Sequence, residues 1–114
     1  MCGFVGFVNL KHDISNKKDI LTHMTKTLSK RGPDEENFYI NKNILLGHRR
    51  LIIIDPENGH QPMCAIYNDN TYIIAYNGQL YNTSEIRKEL LDNGYRFDGY
   101  SDTEVILKAF IHYG

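Results

Sequence analysis

Apolar positions along this chain fall into short runs that alternate between two periods. In "GFVGFVN", residues 3–9, almost every position is apolar or glycine, which predicts a strand buried on both faces. In "SNKKDILTHMTKTLSKRG", Ile20, Leu21, Met24 and Leu28 recur at helical spacing. Ser15 or Asn16 stands where a helix N-cap belongs, and Gly32 and Pro33 would stop the helix. Four strand patterns follow, "NFYIN", "ILLGHRRLIII", "MCAIY" and "TYIIAY", the last two joined by the turn "NDN". "NTSEIRKELLDNG" predicts a second helix, with Asn82 and Glu85 in capping-box spacing and Gly94 at its end. "SDTEVILKAFIHYG" predicts a third, opened by the stronger box of Ser101 and Glu104.

The order is strand, helix, several strands, then two helices. It lacks the strict alternation of a parallel sheet, so the expected class is α+β with mainly antiparallel strands. No repeat or linker-like stretch divides the sequence, and its 114 residues suit one core rather than two. The last helix runs into the end of the sequence, which gives the expectation that the sequence stops within a domain.

Composition narrows the functional classes. The apolar fraction of 41% and charged fraction of 24% are those of an ordinary globular protein. The net charge of -1, with no Lys/Arg block, argues against a nucleic-acid or anionic-membrane partner. The longest apolar run, residues 51–54, cannot span a bilayer. The first ten residues lack the basic flank and cleavage site of a secretory signal. Cys2 and Cys64 are too sparse for a disulfide scaffold and lack zinc-site spacing, so a reduced, cytoplasmic setting is expected.

The candidate chemistry begins at Cys2. A thiolate is a strong nucleophile, but only a few per cent is ionised at neutral pH without a base. Removal of Met1 would give Cys2 a free α-amine, whose ordinary pKa of about 7.7–8.0 suits a general base. On position alone, the simpler reading is a small apolar residue at a strand start. Asn77 and Gly78 follow a strand pattern; an Asn amide and a glycine N–H aimed at one point can stabilise an oxyanion, although an Asn-Gly pair is usually a turn. Arg49 and Arg50 lie in a strand and so face opposite ways. One of them must meet an anion on the apolar side, either a substrate carboxylate or an internal Asp or Glu. Asp102 opens the third helix, where it would favour the dipole or meet a substrate ammonium. Together these groups describe a site for an α-amino acid with an acyl-type side chain. Cys64 reads as a core residue. A thiol-protease-like pairing of a cysteine with His48 or His60 is the weaker alternative, and His12, His23 and His112 show no metal spacing.

The motifs "MCGFVGF", "RGPD", "GHRRLIIID", "GHQPM", "YNGQLYN" and "SDTEVIL", in this order, resemble the glutaminase domain of glutamine-dependent asparagine synthetases, which are class II glutamine amidotransferases. The resemblance implies an N-terminal nucleophile hydrolase fold, an αββα sandwich of antiparallel sheets, of which residues 1–114 would be the first portion of a single domain. It implies Cys2 as the nucleophile and Asn77 and Gly78 as the oxyanion hole. Arg50 would hold the glutamine α-carboxylate, the backbone of residues 51–53, with Leu51 and Ile53, would line the pocket, and Asp102 would bind the ammonium. Gln79 stands where the family carries Glu; it can accept a hydrogen bond but removes a negative charge beside the substrate amine. The implied reaction releases ammonia from glutamine through a thioester, with no cofactor and no metal in that step. The implied partners are glutamine and a synthetase domain absent from this sequence, which would use ATP and magnesium to amidate aspartate. Missing strands would leave sheet edges open to homo-oligomer formation. The rival readings are an inactive glutamine-binding or self-associating fragment, and an amidotransferase with another acceptor.

Overall fold

The computed structural model describes residues 2–114. Among the described residues there are two antiparallel sheets and three α-helices, an α+β arrangement as expected. The first sheet has the order β1 (Gly3–Val8), β3 (Ile44–Arg50), β2 (Glu35–Ile40), with β3 in the centre. The second is the hairpin β4 (Met63–Tyr67) and β5 (Asn70–Ile74). Its turn places Asn68 and Asp69 at positive φ, the conformation a tight hairpin asks of Asn and Asp.

Register decides which side of the first sheet each residue serves. Gly3 pairs with Arg49 and Val5 with Gly47, while Phe38 also pairs with Gly47. Side chains of β1, β3 and β2 at Val5, Phe7, Leu45, Phe38 and Ile40 therefore share one face. Helix α1 (Lys18–Lys26) covers that face, and Leu21, Ile14 and Leu45 form the buried core beneath it. The helix lies close because Gly47 has no side chain: a Cβ there would collide with Thr25. The opposite face carries Cys2, Phe4, Arg50, His48 and Glu35, and it looks toward the second half of the chain.

Three local expectations need correction. The first helix is shorter than its apolar stripe: residues 15–17 form a 3-10 turn, α1 ends at Lys26, and Asp13 rather than Ser15 accepts the early backbone N–H, from Ser15 at 2.8 Å. Leu21 and Thr25 are its buried residues, while Ile20 and Met24 are exposed. Strand β1 is not buried on both faces, since Phe4 and Val8 are 49% and 66% exposed. The strand reading of residues 51–54 also fails, because β3 ends at Arg50 and the chain turns there around the Arg50 guanidinium.

Helices α2 (Thr83–Asp92) and α3 (Asp102–Tyr113) complete the fold. Ser101 caps α3 as predicted, its Oγ accepting from the Glu104 N–H. Glu104 turns away from a reciprocal box and instead accepts from the N–H groups of Asp98 and Gly99, fastening the loop before the helix. Asn82 is the N-cap of α2 without a side-chain bond. Asp102 anchors the start of that helix without capping it: its carboxylate accepts from the Thr83 hydroxyl at 3.0 Å and from the N–H of Leu80, just before the helix, at 2.9 Å. Gly94, at φ 89°, ends α2 as expected.

Candidate active site

Cys2 sits at the entry to β1, one residue beyond the last paired position, on the same face as Arg50. Its Sγ accepts a hydrogen bond from the Leu51 N–H at 3.3 Å and lies 3.7 Å from the Leu51 carbonyl oxygen. Two residues of the "RGPD" stretch hold the segments on either side. The Arg31 Nε–H donates to the Cys2 carbonyl at 3.3 Å, and the Asp34 carboxylate accepts from the Ile52 N–H at 2.8 Å. Neither residue carries an assigned role in the sequence reading, although the motif itself marks the spot.

Arg50 is 4% exposed and answers the strand argument about its charge. Its guanidinium donates to the carbonyls of Ile54, Asp55 and Pro56 and stands 3.5 Å from the Glu35 carboxylate. The internal acid is thus present, and Arg50 is also among the residues that line a cavity. Arg49, on the other face, bonds the Gly32 carbonyl at 2.7 Å and pairs with Glu36 at 3.1 Å. Asp55 is a buried residue that the sequence did not single out. It adopts φ 54°, and its carboxylate accepts from the Tyr100 N–H at 2.7 Å and the Asn58 N–H at 3.2 Å, tying the loop after β3 to the segment before α3.

The stretch 76–80 is held at both ends. Tyr76 donates its N–H to the Gln61 side chain at 2.6 Å, and its carbonyl oxygen meets His48 Nε2 at 3.3 Å. Leu80 donates to Asp102. Between these anchors, among the described residues, no acceptor meets the N–H of Gly78 or Gln79. The Tyr76 ring lies against Gly78 so closely that any side chain at 78 would collide with the phenol. Gly78 and Gln79 are exposed and line a cavity, so these N–H groups are open to an incoming acceptor.

The residues expected to form the site meet at one opening. A cavity of about 350 Å³ is lined by Cys2, Arg50, Leu51, Ile53, Asn77, Gly78, Gln79 and Asp102. Every residue of the expected site is therefore brought to the same space. Cys64 is not part of it and is exposed rather than core, with desolvation pushing its thiol pKa up, away from nucleophilic use. His48 is 1% exposed; burial pushes its pKa down, and Nε2 contacts the Tyr76 carbonyl while Nδ1 has no partner among the described residues. The ring is thus engaged with backbone, and His60 bonds the Glu35 carboxylate at 2.7 Å, which removes both histidines as observed partners of a cysteine. Met1, whose removal would free the Cys2 amine, lies outside the described residues. No helix among those residues is long and apolar enough to cross a membrane.

The sequence is similar to those of known proteins. It is 47% identical over 113 residues to the glutamine-hydrolysing asparagine synthetase 3 of Bacillus subtilis, covering 99% of this chain and 18% of that protein. It is 35% identical over 114 residues to the glutamine-hydrolysing asparagine synthetase 1 of Arabidopsis thaliana, covering 100% of this chain and 19% of that protein. It is 35% identical over 111 residues to the glutamine-hydrolysing asparagine synthetase B of Escherichia coli, covering 96% of this chain and 19% of that protein. The chain thus spans about a fifth of the length of these curated relatives, in their glutamine-hydrolysing part. Residues 1–114 match the glutamine amidotransferase domain throughout, and the chain belongs to that family.

Proposed function

We propose that this chain carries the glutamine-hydrolysing site of an asparagine synthetase, with Cys2 as its nucleophile. The observation that carries the reading is the convergence of Cys2, Arg50, Asn77, Gly78 and Asp102 on one cavity. Glutamine enters with its α-carboxylate toward Arg50, its α-ammonium toward Asp102 and its amide carbonyl between Cys2 and the 77–78 stretch. Gln79, an exposed residue of the same cavity, accepts from the ammonium through its neutral amide, so the charge pairing rests on Asp102.

After Met1 is removed, the Cys2 α-amine takes the thiol proton as Sγ attacks the amide carbon. The resulting oxyanion is stabilised by the Asn77 side-chain amide and the Gly78 N–H, a donor of this type being worth about 2.7–4 kcal/mol. Collapse passes the proton to the departing nitrogen, which leaves as ammonia, and a thioester remains on Cys2. Water, deprotonated by the same amine, hydrolyses the thioester to glutamate and restores the thiol. This sequence of steps needs no metal or cofactor. The ammonia then serves an ATP- and magnesium-dependent amidation of aspartate in a synthetase domain of the parent protein, in a cytoplasmic setting. The N-terminal nucleophile hydrolase sandwich supplies the frame, with the face around Phe4 and Val8 meeting further strands.

A second reading, self-association, is favoured by one observation: Phe4 and Val8 lie exposed on the sheet, away from the buried His48 and Arg50 of the same face. Intact mass spectrometry tests the first reading. With a glutamine analogue bearing an electrophilic carbon at the amide position, the chain should lose Met1 and gain one adduct. Cys2→Ala should gain none, and hydrolysis of glutamine should vanish with it. A Cys2→Ala chain that still reacts at one site would sink the assignment.

A further inference from the structure

The two ends of the proposed site belong to different elements. Asn77 and Gly78 follow β5, while Asp102 opens α3. One buried side chain joins them. Gln61, 6% exposed, accepts from the Tyr76 N–H at 2.6 Å through Oε1 and donates to the Thr103 hydroxyl at 3.0 Å through Nε2. Tyr76 directly precedes Asn77, and Thr103 directly follows Asp102.

A primary amide suits this place because it offers an acceptor and a donor side by side. The orientation of the amide is fixed by its partners: the Tyr76 N–H can only donate, so the oxygen faces it. With both atoms buried, loss of either bond would strand the other group without water. Downstream, Asp102 itself accepts from the Leu80 N–H, so the 77–79 stretch is bound to the first turn of α3 from both directions.

We propose that Gln61, with Thr103, is a positioning residue that sets the distance between the oxyanion donors and Asp102, and so makes the enzyme demand an amide that carries an α-ammonium at the glutamine spacing. This rests on the glutaminase reading above. Glutamine is a flexible chain bound at both ends, and its amide carbon reaches Cys2 only if the gap between the end sites matches. A misplacement of about 1 Å can cost roughly a hundredfold in rate. Without the Gln61 bridge, the ammonium contact no longer brings the amide into register, and its advantage disappears selectively.

The test compares kcat/KM for glutamine with that for glutaramate, which is glutamine without its α-amino group. The ratio of the two does not depend on how much of a preparation is folded. We expect the parent chain to prefer glutamine strongly, and the preference to fall by about tenfold in both Gln61→Met and Thr103→Val. Thr103→Ser, which keeps the hydroxyl, should retain the parent ratio. An unchanged ratio in either Gln61→Met or Thr103→Val, alongside intact Cys2-dependent hydrolysis, overturns the bridge alone. Absence of Cys2-dependent glutamine hydrolysis in the parent chain overturns the glutaminase reading and this inference with it.

Discussion

His48 and His60 show how environment separates two identical side chains. His60 is half exposed and bonds the Glu35 carboxylate, whereas His48 is buried beneath the site against the Tyr76 carbonyl. To donate to that carbonyl, His48 must carry its proton on Nε2, which leaves Nδ1 bare. Burial is the larger cause of its lowered pKa, the Tyr76 carbonyl opposes the shift, and Arg50 adds to it. A histidine with a folded pKa below its ordinary 6.5 binds protons more readily when unfolded. Its neutral form therefore supports the fold above about pH 6.5, and that support is lost as the pH falls toward the folded value. Urea unfolding between pH 7.5 and 5.5 should show a decline in stability that is shallower in His48→Gln; equal slopes in the two chains would refute this. At this scale the sequence was informative for charge and poor for tautomer. Alternation alone separated Arg49 from Arg50, but whether Arg50 met a carbonyl, an acid or a substrate required the turn at residues 54–56, which no periodicity encodes.

Among the elements, strands and helix identities were legible and their ends were not. The hairpin turn, the Ser101 cap and Gly94 all act through a single residue's backbone preference, so local sequence suffices. Helix α1 departs from its apolar stripe because hydrophobicity alone does not mark the face it buries. Its buried line runs through Leu21 and Thr25, with Thr25 returning its hydroxyl to the Leu21 carbonyl at 2.7 Å and meeting Gly47 across the interface. A polar residue that satisfies itself within the helix looks solvent-facing in sequence. Leu21 is fully buried between α1 and the sheet, so Leu21→Ala should cost about 2–5 kcal/mol in denaturant unfolding. Ile20→Ala, one position along the same helix and half exposed, should cost far less. Similar losses at both positions would contradict the observed face.

For the molecule as a whole, function depends on joining two sets of elements around an opening. The first sheet and its N-terminal entry supply Arg50 and Cys2, while the loop after the hairpin supplies Asn77 and Gly78 and α3 supplies Asp102. Asp55 to Tyr100 and Gln61 to Thr103 are the polar ties between distant segments, and neither could be inferred from spacing, since each pairs residues more than forty positions apart. The expected site residues nevertheless converge, because the motifs that carry them sit at element ends, where strand exits and helix starts expose backbone and side chain together. The exposed Phe4 and Val8 give this half-open arrangement an apolar border.

Asp102 serves two neighbours at once. Its carboxylate anchors the start of α2 through the Thr83 hydroxyl and the Leu80 N–H, and the residue also lines the cavity. A ligand that draws on this carboxylate therefore competes or cooperates with the first turn of the adjacent helix. Asp102→Asn, which keeps one acceptor and loses the charge, should accelerate hydrogen exchange at the amides of residues 84–87 while sparing α1. Unaltered exchange there would separate the two duties. If they are joined, occupancy of the site can be followed through the fraying of a helix that supplies none of the residues proposed to touch the substrate.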